Sequence, residues 1–131
     1  MVTAAGNLAA IRSTYEGSSV DNGARLSALL APDVEWIEAA GFPYGGTYRG
    51  PDAVSAGVFA RLGSEWEGYR AVPDAYHDAG DTIIVTGTYH GIYRATGRAM
   101  QAAFAHVWTL RAGKIVRFVQ YVDSAKVREA M

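Results

Sequence analysis

Apolar positions in the first third of the chain recur at helical spacing. Leu8, Ile11, Arg12 and Tyr15 follow one helical face, and Gly17-Ser18-Ser19 closes that run. Asp21 is suited to cap a second helix, with Leu26, Leu29 and Leu30 on one face and Pro32 just past its end. VEWIE, Val34 to Glu38, alternates as a short strand does. A loop rich in Gly, Pro and Tyr follows, AAGFPYGGTYRGP, and Pro51 fits the first turn of a third helix carrying Val54, Val58, Phe59 and Leu62 on one face. From Trp66 the pattern changes. WEGYRAVPDAY, DTIIVTGTYHGIYR, AMQAAFAHVWTLR and KIVRFVQYVD are rich in β-branched and aromatic residues, and the breaks HDAGD, ATGR and RAGK are short and contain glycine, as hairpins require. This order predicts a single α+β domain over residues 1–131. Three helices of the N-terminal half pack on the concave face of a curved antiparallel sheet.

Hairpin arithmetic refines the picture. With Ala112-Gly113 as a two-residue turn, Leu110 opposes Ile115, Trp108 opposes Arg117, His106 opposes Val119, Phe104 opposes Tyr121 and Ala102 opposes Asp123, all on one face. A turn at Thr96-Gly97 adds Val85, Gly87, Tyr89 and Gly91 to that face. His106, Tyr121 and Asp123 then share a surface flanked by glycines, where a strand can bend or admit a close neighbour. The opposite face, Ala103, Ala105, Val107 and Thr109 with Val116, Phe118, Gln120 and Val122, is apolar and mostly small. Left uncovered, such a face meets another subunit, so a homodimer through the outer sheet face is expected.

Composition narrows the chemistry. Of 131 residues, 50% are apolar and 19% charged, which excludes a disordered chain. A net charge of −1 without a basic-aromatic stripe argues against nucleic acid as a partner. The absence of cysteine excludes disulfides, thiolate metal sites and thiol nucleophiles. His77, His90 and His106 lie on different turns and faces, with no HxH or HExxH, so no metal is expected. No GxSxG, phosphate loop or dinucleotide fingerprint occurs. The start, MVTAAGNLAAIRSTYEG, does not read as a signal peptide, and no window reaches the ~20 apolar residues that span a bilayer. A soluble, cytoplasmic protein without membrane contact is expected.

The phrases VEWIEAAGFPYGGTYRGPDAV (34–54) and HVWTLRAGKIVRFVQYVD (106–123), in this order of elements, resemble the nuclear transport factor two-like superfamily and, within it, the SnoaL-like and ketosteroid isomerase-like branch. The resemblance covers nearly the whole chain. It implies a cone-shaped, cystatin-like α+β fold with an apolar pocket between sheet and helices. In SnoaL-type cyclases the proton-transferring aspartate stands eight residues after the isoleucine of the GKI turn, the place of Asp123, with a polar side chain near the position of His106. In ketosteroid isomerase, itself a standard case of pKa tuning, the carboxylate base ends the first strand, about where Glu38 stands. Its oxyanion donors are a tyrosine on the first helix, near Tyr15, and a protonated acid on the penultimate strand. His106 takes that acid's place here.

Each candidate has a plain structural reading beside a chemical one. Asp123 is either a cap for the chain end or a general acid or base. His106 either fills space or orients a substrate oxygen. Tyr121 is a core aromatic or a hydrogen-bond donor to an enolate. Glu38 points inward if Trp36 does, and a buried carboxylate without a partner is costly unless it has a function. Tyr44 is a candidate roof. Trp36, Phe59, Tyr89, Phe104, Trp108 and Tyr15 are expected to line the pocket. Together these readings imply a cofactor-independent isomerase or cyclase acting by acid–base chemistry on a small apolar carbonyl compound. Two alternatives stand beside it: a non-catalytic ligand-binding or assembly module, and a hydratase or epoxide hydrolase in which Asp123 activates water.

Overall fold

A computed structural model describes residues 4–131. The helices begin where local chemistry dictates. α1 (Ala4–Arg12) buries Ile11 and ties itself to a distant turn through Asn7, whose side-chain amide donates to the Gly80 carbonyl at 3.1 Å. α2 (Ser19–Leu29) starts at Ser18, which is extended and accepts the Asp21 N–H on its hydroxyl. Ser18 is therefore the cap, and Asp21 sits inside the first turn, where its charge favours the helix dipole. No residue of α2 is fully buried. Leu30 has left the helix and opens β1 (Leu30–Glu38).

The stretch that composition presents as loop contains a strand, β2 (Gly46–Arg49), paired antiparallel with β1. Pro51 opens α3 (Pro51–Val54), which runs through a π-helical segment (Ser55–Phe59) into α4 (Ala60–Glu65). The widened turn lies where the Tyr48 ring meets Gly57; a Cβ there would sit 2.2 Å from Tyr48 Cε1. Such single wide turns recur at functional sites, and this one carries Val58 and Phe59 to the cavity described below.

The remaining strands are β3 (Trp66–Ala79), β4 (Thr82–Tyr93), β5 (Ala99–Arg111) and β6 (Lys114–Val122), and α5 (Ser124–Glu129) ends the chain. The sheet order is β2-β1-β6-β5-β4-β3. Every pair is antiparallel except β1–β6, so VEWIE joins the meander as a parallel neighbour of the last strand.

Two registers differ from the hairpin arithmetic, with unequal consequences. β4 and β5 are joined by five residues, Arg94 to Arg98, and Val85 opposes His106 and Gly87 opposes Phe104. The shift is two residues, and each side chain keeps its face. The β5–β6 turn is as expected, with Arg111 opposite Lys114 and Leu110 opposite Ile115. Ala112 and Gly113 both have positive φ, 50° and 78°, the geometry of a type I′ turn. Immediately after it a bulge adds one residue to β6: Thr109 opposes Arg117, Trp108 opposes Phe118 and His106 opposes Gln120. A one-residue shift exchanges faces. Phe118 and Gln120 therefore point inward, and Arg117 and Tyr121 point outward. Arg117 donates to Glu35 at 3.1 Å on that outer face.

The core lies between the concave sheet face and the helices. Phe118 stacks on Trp36 with centroids 3.9 Å apart and lies 4.5 Å from Trp108. Truncating so central a ring costs about 3–5 kcal/mol in typical cores. Gly87 lets the sheet fold onto itself: a Cβ there would meet the Val72 carbonyl at 2.2 Å and Phe104 Cζ at 2.7 Å.

Candidate functional site

The inner wall and the helices enclose a cavity of about 360 Å³. Trp36, Phe59, Trp108, Phe118 and Phe42 give it apolar sides, and Glu38, His106, Tyr15, Tyr69, Tyr89 and Gln120 supply polar groups. Ser19, Asn22 and Leu26 of α2 and Val72 and Pro73 of β3 also border it.

Alternation along β1 carries Glu38 inward with Val34 and Trp36. Glu38 is only 4% exposed. Its Oε1 accepts the Trp36 indole N–H at 2.8 Å, while Oε2 is buried without a partner. Burial outweighs that one hydrogen bond and raises the carboxyl to about 7. Near neutral pH the group is divided between acid and carboxylate, the condition in which a carboxyl both takes and returns a proton.

His106 is 6% exposed, in the middle of β5. Its Nδ1 lies 2.5 Å from the Tyr15 hydroxyl, and its Nε2 meets the Tyr89 hydroxyl. Burial lowers its pKa to about 3, so the ring is neutral at ordinary pH. The Trp108 indole N–H donates to Tyr15 Oη at 2.9 Å, and the Gln120 amide donates to Tyr89 Oη at 2.9 Å. Gln120 Oε1 accepts the Ala39 N–H at 3.1 Å, which fixes its orientation. The Tyr69 ring lies beside that of Tyr89, with centroids 5.3 Å apart, and the Glu38 charge acts on both phenols. Burial holds Tyr15, Tyr69 and Tyr89 well above the ordinary phenol range, so all three remain protonated donors.

The structure brings together Glu38, His106, Tyr15, Tyr89, Trp36, Phe59 and Trp108 around the cavity. Other expected residues lie elsewhere. Asp123 is exposed at the end of β6, where its carboxylate accepts the Lys126 N–H and caps α5. Tyr121 is 59% exposed on the outer face because of the β6 bulge. Asp123 therefore stands outside the cavity and is not placed to activate water there. Tyr44 is buried but is not a roof: its hydroxyl donates to Glu65 at 2.9 Å and accepts the Trp66 indole N–H at 2.9 Å, pinning the loop to α4. Phe104 stands behind the site, stacked on Tyr89 at 4.5 Å and His106 at 4.1 Å.

Gln120 and Tyr69 are polar residues of the cavity that the sequence did not single out, as are Thr14, Ser19, Asn22 and Arg70 at its border. Gln120 was hidden by the bulge. Tyr69 turns inward after Gly68, whose φ of 63° marks an irregularity in the β3–β4 register; the glycine within WEGYR is the visible sign of it. Among the described residues no group of His, Asp and Glu is placed to hold a metal ion, and no helix is long and apolar enough to cross a membrane.

An α+β cone whose sheet wraps a polar-ended apolar cavity defines a class, and comparison with known proteins assigns it. The SnoaL-like domain family matches residues 11–118. The chain belongs to that family, within the NTF2-like superfamily. A crystal structure of an NTF2-like protein from Burkholderia thailandensis E264 is 46% identical, covers 95% of this chain and 96% of its own, and superposes with a TM-score of 0.89. An NTF2-like protein of unknown function from Burkholderia pseudomallei K96243 is 30% identical over 95% of each chain, with a TM-score of 0.84. TerC, co-crystallized with polyporic acid, is 28% identical over 95% of this chain and 96% of its own, with a TM-score of 0.82. No curated protein matches the chain significantly.

Proposed function

We propose that this protein is a cofactor-independent acid–base enzyme acting on a small apolar carbonyl or enol compound. Glu38 serves as the base, and the hydroxyls beside His106 hold the substrate oxygen. The carrying observation is Glu38 Oε2: a buried carboxylate oxygen without a partner, on a cavity whose three phenols, Tyr15, Tyr69 and Tyr89, are protonated. A carboxylate so placed removes a proton beside a carbonyl, while phenolic O–H groups stabilise the enolate oxygen that develops. The aromatic side walls suit a flat ring system. TerC, 28% identical, was co-crystallized with polyporic acid, which supports a small-molecule ligand for this cavity.

The test uses 2-tetralone, a bicyclic ketone, in heavy water. The protein is expected to catalyse saturable exchange of its α-protons, and Glu38→Gln to abolish it. A wild-type protein that binds 2-tetralone without exchanging its protons would favour the ligand-binding reading. We also propose a homodimer through the outer sheet face. Ala103, Ala105, Val107, Val119 and the exposed Tyr121 form a small-residue apolar surface there.

A further inference from the structure

The geometry points to His106 as a tautomeric switch that decides whether Tyr15 or Tyr89 offers its hydroxyl proton to a bound oxygen. This rests on the reading above that an oxygen-bearing ligand occupies the cavity. The bonding around the ring can be counted. A neutral imidazole carries one N–H and one bare nitrogen. Both nitrogens face a tyrosine hydroxyl, Nδ1 toward Tyr15 and Nε2 toward Tyr89. One tyrosine must therefore accept from the ring while the other donates to it.

Each tyrosine oxygen also has a fixed donor of its own. Trp108 donates to Tyr15 and Gln120 to Tyr89, both at 2.9 Å. Neither indole nor amide N–H can accept the tyrosine proton in return. With the ring proton on Nδ1, Tyr89 donates to Nε2, and Tyr15 accepts from both Trp108 and His106. The Tyr15 proton then has no partner in this array and is available to the cavity. With the ring proton on Nε2 the roles reverse, and Tyr89, beside Tyr69 and Glu38, holds the available proton. The two forms contain the same number of protons. They differ in which side of the His106 ring presents a hydroxyl donor. His106 itself, with both nitrogens occupied, touches no ligand; it is a positioning residue.

The arrangement has a consequence that a rigid pair of donors would lack. Loss of one tyrosine biases the ring toward the form that frees the other. In Tyr15→Phe, Nδ1 loses its partner, and the ring proton is expected on Nε2, donating to Tyr89. In Tyr89→Phe it is expected on Nδ1, donating to Tyr15.

The experiment reads this directly in the ligand-free protein labelled with 15N-histidine. The imidazole nitrogen shifts of His106, assigned by the missing signals of His106→Gln, report the tautomer. Opposite tautomers in Tyr15→Phe and Tyr89→Phe support the switch; the same tautomer in both, or an imidazolium at pH 7 in the wild type, overturns it. Affinity for 2-naphthol gives the second readout. Each single variant is expected to lose less than about tenfold, and Tyr15→Phe/Tyr89→Phe more than about a hundredfold, beyond the product of the two, because a hydrogen bond to a charged or polarised oxygen is worth roughly ten- to hundredfold in binding. Losses that simply multiply would overturn the switch. If 2-naphthol does not bind the wild type at all, the ligand reading fails, while the nitrogen shifts still decide the switch.

Discussion

Replacing Glu38 by Gln should stabilise the protein, by an amount that depends on pH. The amide keeps an oxygen for the Trp36 indole N–H, 2.8 Å away in the wild type, and removes the ionisable proton. In the folded protein the carboxyl titrates at about 7, against 4.5 for the ordinary group. Below pH 4.5 both states hold the proton, and the carboxyl contributes its full stability. As pH rises through the folded pKa the unfolded chain has already released its proton, and stability is lost. The difference of pKa corresponds to roughly 3 kcal/mol. His106 works in the opposite direction: its folded pKa of about 3 lies below the ordinary 6.5, so stability falls as pH drops from 6.5 toward 3. The two effects overlap between pH 4.5 and 6.5 and would mask each other in a single melting curve. The informative quantity is the difference between Glu38→Gln and wild type. It should grow from near its acid value at pH 4.5 to a plateau above pH 8, about 3 kcal/mol higher, or on the order of 10 °C in Tm for a domain of this size. Thermal melts at half-unit pH steps measure it. Parallel curves for the two proteins across that range would refute the claim that Glu38 is buried without compensation.

Other outcomes follow from local geometry. Ala112 has a φ of 50° in the β5–β6 turn, so Ala112→Asn should raise stability by about 1 kcal/mol in chemical denaturation. Gly87→Val should destabilise by more than about 3 kcal/mol, because its Cβ would sit 2.2 Å from the Val72 backbone carbonyl, which cannot move aside as a side chain would. If the outer face joins two copies, Tyr121→Arg should convert a dimer to a folded monomer, as light scattering coupled to size exclusion would show; an unchanged mass would exclude that face.

The fold was legible because helical spacing gives way to alternation at VEWIE and again from Trp66 onward, and glycines mark the hairpins. The site was legible in part, and the part that failed has a definite cause. IVRFVQYV carries apolar residues at both parities, so neither face stands out from alternation alone. Arg117 was the sign that Ile115 and Arg117 do not share a face, and the bulge between them moved Phe118 and Gln120 inward and Tyr121 outward. β1 has no such ambiguity. Its alternation in VEWIE placed Trp36 and Glu38 on one face, as observed. Asp123 drew attention by its distance from the GKI turn, but with the bulge counted it falls beyond the cavity and serves as a helix cap. The pairing of β1 with β6 was not visible, since a parallel neighbour leaves no turn in the sequence to announce it.

The central claim is that Glu38 moves a proton on a ligand held in the cavity. The most direct measurement is α-proton exchange of 2-tetralone in heavy water, followed by NMR, for wild type, Glu38→Gln and Asp123→Asn. Saturable exchange is expected of the wild type, a loss of at least about a hundredfold in Glu38→Gln, in line with the usual worth of a general base, and wild-type rates in Asp123→Asn. Full activity in Glu38→Gln, or its loss in Asp123→Asn with the fold intact, would contradict that claim.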